Sequence, residues 1–255
     1  MTFNIHSGLE GLDKVAEVIR ATGPDIVALQ EVDIGSLRSK GQDQLAVLAE
    51  RTGYRYSAHF RTTTLYGGGY GPALLSRYPL EKVEQHALPV EPGMEPRIVA
   101  HAIVNVNGRE VSVYATHLTK RPFNGELRMR QSVAILELME RDPRPKLLMG
   151  DMNDVPTSRP MRLLKRELMD VFALRGQGRD TTYRMPAFLP EARIDYVLAC
   201  DHFLPKSSRV LRSDASDHYP VVADLTLLEP VETPTAQVAR RPESLAPAMA
   251  SSGGH

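Results

Sequence analysis

The sequence predicts an α/β fold in which one β-sheet packs on another and helices cover the outside. Short apolar runs typical of buried strands outnumber the segments with helical periodicity. Asn107 and Gly108 separate two such runs, residues 102–106 and 111–115, and this is the strongest short-range signal for an antiparallel hairpin. A purely parallel, doubly wound sheet is therefore not expected, and two packed sheets with helices outside fit better.

Four helices are predicted from apolar residues that recur at helical spacing. The first contains Leu12, Val15 and Ile19 and ends before Gly23 and Pro24, which stop a helix. The other three are residues 45–49, followed by a capping Gly53, residues 127–139, and residues 158–168 with Ser158 as the N-cap.

Strands and one domain boundary follow from the remaining apolar runs. Besides the hairpin, the sequence predicts strands at residues 26–29, 73–75, 146–149, 194–198 and 221–225. After Leu227 the regular apolar pattern ends, and Pro, Ala, Ser and Gly become frequent. We therefore predict one domain, residues 1–227, and a disordered C-terminal tail, residues 228–255.

The composition is that of a soluble globular protein, with 42% hydrophobic and 24% charged residues in a chain of 255. No apolar run reaches the roughly 18 residues of a membrane span, so no transmembrane segment is predicted. The single cysteine, Cys200, excludes an internal disulfide and favours a reducing compartment. We expect a cytoplasmic monomer.

The charge balance argues against a protein whose main task is non-specific binding of long DNA. Lys and Arg together number 31, equal to Asp and Glu, whereas such proteins usually carry a basic excess. The chain also has no Trp and only 6% aromatic residues, so it is poor in platforms for stacking unpaired bases.

Six short polar motifs lie at the predicted ends of apolar runs. They are TFNIH (residues 2–6), LQEVD (29–33), THL (116–118), GDMN (150–153), RIDY (193–196) and SDH (216–218). Strand ends are where α/β sheets collect their ligands. Carboxylates, amides and two histidines, with no Ser or Cys nucleophile motif, are what metal-assisted hydrolysis of a phosphate ester requires.

Glu31 and Asn4 are candidate ligands of a divalent metal. Glu31 follows four residues of which three are apolar, and a carboxylate there is costly unless it is paired or bound to a cation. The alternative is a strand-end carboxylate that caps the next turn. Asn4 could supply an uncharged oxygen or orient a ligand by hydrogen bonding, and its alternative is an ordinary turn residue.

Asp151 and Asn153 flank Met152 at the end of a predicted strand, so both side chains are expected to point the same way. Asp151 could hold or deprotonate a water while the amide of Asn153 steadies a phosphoryl oxygen. The alternative is an Asx turn, which this sequence would also suit.

His218 needs a partner for its second ring nitrogen, and Asp195 could be that partner. The pair would raise the pKa of His218 toward the charged form, which suits a phosphate oxyanion. Asp217 is then available for the metal. The alternative for Asp217 and His218 is a surface turn.

Two further residues could contact a substrate phosphate, namely His117 at the end of its strand and Arg97. Their alternatives are a satisfied core histidine and a salt bridge at the rim of the site. The glycine-rich residues 66–71 lack the Lys and Ser/Thr of a P-loop, and we interpret them as a mobile loop beside the site.

Taken in order, the motifs resemble those of the endonuclease/exonuclease/phosphatase superfamily, the metal-dependent phosphoesterases related to pancreatic-type deoxyribonuclease. The resemblance runs from Asn4 to Leu225. It implies a four-layer α/β sandwich, with two central mixed sheets flanked by helices and one active cleft. It also implies that Glu31 binds Mg²⁺, with Mn²⁺ as a substitute, and that Asn4 and Asp217 lie close to the metal.

The same resemblance implies catalytic roles for five residues. Asp151 would orient or activate the water, and Asn153 would contact the phosphate. His117 and His218 would bind or polarise the scissile phosphate, and Asp195 would orient His218.

The expected reaction is hydrolysis of a phosphodiester, with a phosphomonoesterase for sugar, inositol or lipid phosphates as the alternative. Substrate choice between nucleic acid, phospholipid and small molecule would lie in loops, which are residues 61–71, 86–97, 120–126 and 183–192. Lys120, Arg121, Arg128 and Arg130 could form a basic rim, although a solvated helix face is the favoured interpretation of Arg128 and Arg130.

Two other classes of protein are weighed against this hypothesis. A non-catalytic binding module on the same fold would be expected to lack catalytic side chains, and all of them are present. A zinc hydrolase would need His or Cys ligands clustered at tight spacing, and the sequence has no such cluster.

Overall fold

Two mixed β-sheets pack face to face and helices cover both outer faces. The computed structural model describes residues 1–120, 124–184 and 191–229. This arrangement is the four-layer α/β sandwich that the resemblance implied. Arg121 of the suggested rim, parts of two suggested substrate loops, and residues 230–255 of the suggested tail lie outside the described residues.

The described secondary structure comprises fourteen strands, five α-helices and two short 3-10 helices, His6–Gly8 and Leu37–Ser39. In chain order the strands are β1 (Thr2–Asn4), β2 (Ile26–Ile34), β3 (Tyr56–His59), β4 (Thr63–Leu65), β5 (Gly68–Ser76), β6 (Leu80–Leu88), β7 (Arg97–Val106), β8 (Arg109–His117), β9 (Lys146–Asp151), β10 (Met169–Asp170), β11 (Gly176–Gln177), β12 (Asp195–Ala199), β13 (Phe203–Val210) and β14 (Val221–Leu227). The helices are α1 (Leu12–Thr22), α2 (Gln44–Thr52), α3 (Gly125–Glu140), α4 (Arg159–Glu167) and α5 (Val171–Arg175). None of these helices is long and apolar enough to cross a membrane.

The first sheet has the order β11-β13-β14-β1-β2-β5-β3, with β4 also paired to β5, and the second has the order β10-β12-β9-β8-β7-β6. Each sheet has one central parallel pair, β1 with β2 in the first and β8 with β9 in the second. The carboxyl ends of these two pairs provide the strand termini at which α/β sheets collect ligands.

Side chains along β2 point alternately to the two faces of the first sheet, and this explains why both of its faces are covered. Val27 and Leu29 pack with the residues of α1 and α2, whereas Ala28 belongs to the larger core that fills the space between the sheets. Ile135 of α3 and Met161 of α4 join that larger core, which extends through the second sheet to its outer helices. Apolar side chains on both faces of the central strands therefore bury each sheet between two layers.

The predicted helices and the hairpin are confirmed. The helix of α1 ends at Gly23, which adopts a left-handed conformation with φ 55°. Asp43 caps α2 and Ser158 caps α4, each by accepting a backbone N–H of the first turn. The hairpin turns at Asn107 and Gly108 between β7 and β8, as predicted.

The predicted strand at residues 26–29 was expected to end at Gln30 and Glu31, and this end was wrong. Strand β2 continues to Ile34, with a bulge between Leu29 and Val32 where the pairing with β5 shifts register. Glu31 lies in that bulge with φ 60°. The bulge, rather than a strand end, is what directs this carboxylate away from the ladder.

The interpretation of residues 66–71 as a mobile loop was also wrong. Residues 68–71 are part of β5 and pair with both β2 and β4. A Cβ atom on Gly71 would lie 2.0 Å from the carbonyl oxygen of Phe60, and one on Gly68 would lie 2.2 Å from the amide nitrogen of Ser36. These glycines therefore allow neighbouring backbones to approach, which is a packing role.

Candidate active site

The candidate site lies where both sheets bring strand ends together. Asn4 ends β1, His117 ends β8 and Asp151 ends β9. Strand β1 contacts β9 and β12 of the opposite sheet, so residues more than a hundred positions apart in sequence meet at this edge. Asp195 begins β12 directly opposite Asp151 in the antiparallel register.

Gly150 makes the approach of β8 and β9 possible just before the site. It has φ 153°, and a Cβ atom there would lie 2.0 Å from the carbonyl oxygen of Thr116. A side chain at this position would push apart the strands that carry His117 and Asp151. This gives a physical reason for glycine in the Gly-Asp-Met-Asn motif.

Asp151 is the hub of the site. Its Oδ2 atom accepts a hydrogen bond from Asn4 Nδ2 at 3.2 Å, and it lies 3.4 Å from His117 Nε2 and 3.8 Å from His218 Nε2. The other carboxylate oxygen accepts the backbone N–H of Asn153 at 2.8 Å. Burial, together with the nearby charge of Asp195, raises the pKa of Asp151 to about 7.

Asn4 connects two carboxylates. Its Nδ2 donates to Glu31 Oε1 at 3.1 Å as well as to Asp151, and its Oδ1 accepts the backbone N–H of His6 at 3.0 Å. Because its oxygen is already occupied, Asn4 fits the role of an orienting partner better than that of an oxygen ligand.

His218 and Asp195 form the pair that the sequence predicted. The distance from His218 Nδ1 to Asp195 Oδ2 is 2.9 Å, and both side chains are almost fully buried. Burial on its own lowers the pKa of His218, but the carboxylates of Asp195 and Asp151 outweigh it and raise that pKa to about 9. A cationic imidazole therefore faces Asp151 through its Nε2 at neutral pH.

His117 has the opposite electrostatic state. Burial, helped by the positive charge of Arg97, lowers the pKa of His117 well below its usual range, so the ring is neutral. Its Nε2 is buried and has no hydrogen-bond partner among the described residues. Asp151 Oδ2 lies 3.4 Å away but forms no hydrogen bond with it, so this atom is available to a ligand.

The environment of Asn153 matches the Asx-turn alternative. Its backbone N–H binds the carboxylate of Asp151, its φ is 49°, and its Nδ2 donates to the carbonyl oxygen of Leu118 at 3.0 Å. Asn153 thus holds the end of β9 against the segment that follows β8. Its contact with a phosphate stays a prediction.

Arg97 lines a cavity of about 240 Å³ beside Glu31 and His117. Its Nη1 lies 3.1 Å from Glu95 Oε1, while its Nε is buried without a hydrogen-bond partner in the described part of the chain. The other lining residues are Tyr70, Met94, Glu95, Thr119 and Lys120. The salt-bridge alternative for Arg97 is therefore present, in a buried form that leaves one donor for a ligand.

Asp217 contacts His6 and Ser216, and its role as a metal ligand stays a prediction. Its Oδ1 lies 3.7 Å from His6 Nδ1 and accepts from the Ser216 hydroxyl at 3.3 Å. Ser216 was missed as a site residue, although it belongs to the Ser-Asp-His motif. Its hydroxyl donates to the Asn4 carbonyl oxygen and accepts the backbone N–H of His218, so it ties β1 to the His218 turn.

The interpretation of Arg128 as part of a solvated helix face was wrong. Arg128 is buried, with its Nε 2.8 Å from Asp154 Oδ2 and a donor to the Thr119 carbonyl oxygen at 3.1 Å. Arg130 is half-exposed and pairs with Glu91, as a solvated position would. Lys120 remains at the edge of the cavity, 5.7 Å from the ring centroid of Tyr183.

Tyr183 was also missed. Its ring lies 4.7 Å from that of His218, centroid to centroid, and its backbone forms a bridge with His218. The sequence included it only as the first residue of the suggested substrate loop, residues 183–192, because it follows no apolar run and matches no metal or acid–base pattern.

The donor chemistry of the site fits a hard divalent cation. The carboxylates of Glu31 and Asp151 are joined by a single amide, and one oxygen of buried Asp195 has no hydrogen-bond donor among the described residues. Buried carboxylates in such proximity are stabilised by a cation. Glu31 is the residue best placed to hold it, because it is only partly buried beside the cavity.

The model of the Endonuclease/Exonuclease/phosphatase family matches residues 1–218. The chain belongs to this family. Members of the family are phosphoesterase hydrolases, and the described fold is theirs.

Individual relatives agree with this membership. The uncharacterized protein YbhP of Escherichia coli (strain K12) is 28% identical over 248 residues, which cover 89% of this chain and 95% of that protein. The structure of an endonuclease/exonuclease/phosphatase from Beutenbergia cavernae DSM 12333 is 29% identical with a TM-score of 0.73, covering 89% of this chain and 70% of that chain. A mannosyl-6-phosphatase of Bacteroides thetaiotaomicron VPI-5482 has a TM-score of 0.72 at 19% identity, covers 88% and 98% of the two chains, and so shows the fold alone.

Proposed function

We propose that this protein is a Mg²⁺-dependent phosphoesterase that hydrolyses a phosphodiester by in-line attack of water. The observation that carries the proposal is the position of Asp151, whose single Oδ2 atom lies within 4 Å of Asn4, His117 and His218. Asp151 and the imidazoles of His117 and His218 thus lie together at one edge of the sheets, and we propose that the phosphate binds beside them, in the cavity that His117 also lines.

Glu31 is proposed to hold the metal, with Asn4 orienting its carboxylate and Asp217 as the second proposed acidic ligand. When bound, Mg²⁺ or Mn²⁺ would supply positive charge to a phosphoryl oxygen and lower the pKa of a water. The Asn4 amide also keeps Glu31 and Asp151 at a fixed separation, because it donates to both of them.

Asp151 is proposed to accept a proton from the attacking water. A base works best when its pKa lies near the operating pH, and the pKa of about 7 meets that condition. Asn153 holds Asp151 in place through its backbone N–H at 2.8 Å and is proposed to direct its amide toward the phosphate.

His218 and His117 are proposed to stabilise the charge that develops on the phosphoryl oxygens. Cationic His218 donates from Nε2 while Asp195 holds Nδ1, and neutral His117 presents a buried Nε2 that makes no hydrogen bond to the described residues. Arg97 adds its free Nε donor on the cavity side. One preorganised donor of this kind contributes roughly 10²–10³ to the rate.

A diester is favoured over a monoester by the charge of the cavity. Glu95 lies 3.1 Å from Arg97 and offsets much of its positive charge, which suits a phosphate with one negative charge better than a dianion. Phosphomonoester hydrolysis stays the alternative, because one solved structure with a similar fold is, by name, a mannosyl-6-phosphatase. A nucleic acid, a phospholipid headgroup or a small molecule could each carry the proposed bond.

The test is hydrolysis of bis-p-nitrophenyl phosphate and of p-nitrophenyl phosphate, with Mg²⁺, with Mn²⁺ and with EDTA. We expect faster cleavage of the diester, activity with either metal, and none with EDTA. Cleavage of the monoester alone would replace the diesterase proposal with the phosphatase alternative. Turnover of neither substrate under any metal condition would favour the non-catalytic binding module.

A further inference from the structure

A second group of metal-ligating side chains lies on the edge of the second sheet. Glu84 and His86 are on the edge strand β6 and His101 is on β7, with possible ligand atoms all within 4.8 Å of one another. Glu84 pairs with His101 across the two strands. His101 is four residues along β7 from Arg97, or ~13 Å at the usual rise of a strand, so this cluster is separate from the candidate active site.

We propose that Glu84, His86 and His101 form a binding site for a borderline transition-metal ion such as Zn²⁺. Two imidazoles and one carboxylate are ligands that Zn²⁺ accepts, and a water would complete a four-coordinate shell. The active site differs in kind, since its cavity-side ligand is the carboxylate of Glu31, which suits Mg²⁺.

Part of the required geometry is already formed. The distance from His86 Nε2 to Glu84 Oε2 is 3.6 Å. In a tetrahedral zinc site with bond lengths of about 2.0–2.1 Å, two ligand atoms lie roughly 3.4 Å apart. This pair therefore already has nearly the separation of two ligand atoms in such a site, and a ligand atom of His101 lies within 4.8 Å of both.

The Nε2 atom of His86 has no hydrogen-bond partner among the described residues. It is buried, yet it makes no hydrogen bond within the part of the chain that the structure describes, because Glu84 is beyond hydrogen-bond distance. Buried polar atoms in folded proteins normally have partners. A cation between His86 and Glu84 would satisfy both groups, and the exposed side chain of Glu84 leaves a path from solvent.

His101 is held as a zinc ligand usually is. Its Nε2 lies 3.2 Å from Ser112 Oγ and 3.7 Å from Asp142 Oδ2, and its ring stacks on Tyr114 with centroids 4.4 Å apart. A hydroxyl or carboxylate on one ring nitrogen fixes the tautomer and frees the other nitrogen for a metal. In the proposed site, Nδ1 of His101 would be the nitrogen that binds the metal.

The bound ion would tie the exposed edge strand β6 to β7, its neighbour in the described sheet. A ligand that binds the folded chain stabilises it by mass action, so thermal unfolding should shift upward with Zn²⁺ concentration. This stabilisation does not depend on the proposed catalytic activity.

The experiment is calorimetric titration with Zn²⁺ in a large excess of Mg²⁺, together with the visible absorption of bound Co²⁺. We expect one saturable Zn²⁺ equivalent and a Zn²⁺-dependent rise in Tm for the wild-type protein. His86→Ala, at a half-exposed position, should abolish both, and Ser112→Ala should weaken binding about tenfold, as loss of a supporting hydrogen bond does.

Two control variants separate this site from other metal-ligating groups. His202→Ala alters the group formed by Cys200, Asp201 and His202, and Asp195→Asn alters the group formed by Asp151, Asp195 and His218 in the candidate active site. Both should keep the Zn²⁺ equivalent. The proposal is overturned if wild-type protein shows no saturable binding, if His86→Ala binds like wild type, or if either control abolishes the binding.

Discussion

At the residue scale, the properties of the candidate site follow from charges that burial forces to share a small space. Asp151 and Asp195 are both buried and face the same imidazole of His218. Burial and the charge of Asp195 raise the pKa of Asp151, and the two carboxylates raise the pKa of His218. The proposed base, Asp151, and the proposed cationic donor, His218, thereby lie side by side.

The variant Asp195→Asn tests this electrostatic account. The variant removes the charge of Asp195, the largest contribution that raises the pKa of His218; burial still lowers that pKa and Asp151 still raises it, so it should fall from about 9 toward the usual value of ~6.5. Imidazole titration by NMR in metal-free protein measures the change. Asp201→Asn, on an exposed turn, is the control and should leave His218 unchanged. A His218 pKa that stays near 9 in Asp195→Asn would refute the assigned cause.

The sequence was sufficient to predict the partners of some residues but not of others, and the difference has a physical reason. The partnership of Asp195 and His218 was predictable because a strand-borne carboxylate and an imidazole satisfy each other, and the structure places them 2.9 Å apart. The burial of Arg128 was not predicted, because the pattern of a helix does not show which hydrogen-bond acceptors from other segments its side chains will contact. Here Asp154 and the carbonyl oxygen of Thr119 make its burial favourable.

At the scale of elements, the long apolar segments were predictable and the irregular ones were not. Helices α1 and α3 were predicted from their apolar periodicity, and the hairpin was predicted from its turn residues. Strand β6 was missed because most of its side chains are exposed and little apolar alternation remains. The bulge at Glu31 depends on pairing with β5, which is a long-range contact that local patterns do not encode.

The close approach of β8 and β9 makes Gly150→Ala a test at this scale. The added Cβ would meet the Thr116 carbonyl oxygen at 2.0 Å, so we expect the free energy of unfolding to fall by about 2–4 kcal/mol. Gly125→Ala is the matched control, because its Cβ would meet nothing within 4 Å, and it should change stability by no more than ~1 kcal/mol. Urea denaturation measures both, and equally mild effects would contradict the packing role of Gly150.

At the scale of the whole molecule, the site exists only because the two sheets pack together. Asn4 and Glu31 come from the first sheet, whereas His117, Asp151 and Asp195 come from the second. The order of the motifs in the sequence predicted the four layers through their resemblance to the family, and the family match agrees with it. The cavity beside Arg97 and the role of Tyr183 were not predictable, because they arise from segments that meet only in the folded protein.

The most direct test of the central claim is the hydrolysis rate of bis-p-nitrophenyl phosphate with Mg²⁺ for wild type, Asp151→Asn and His218→Ala, with Tm measured on the same samples. Both variants should lose on the order of 10²–10³ or more in rate, because a base or a charge-stabilising donor is removed. Asp151→Asn should keep its Tm or raise it, since it removes a buried charge beside Asp195. Wild-type rates in a folded Asp151→Asn protein would contradict the account.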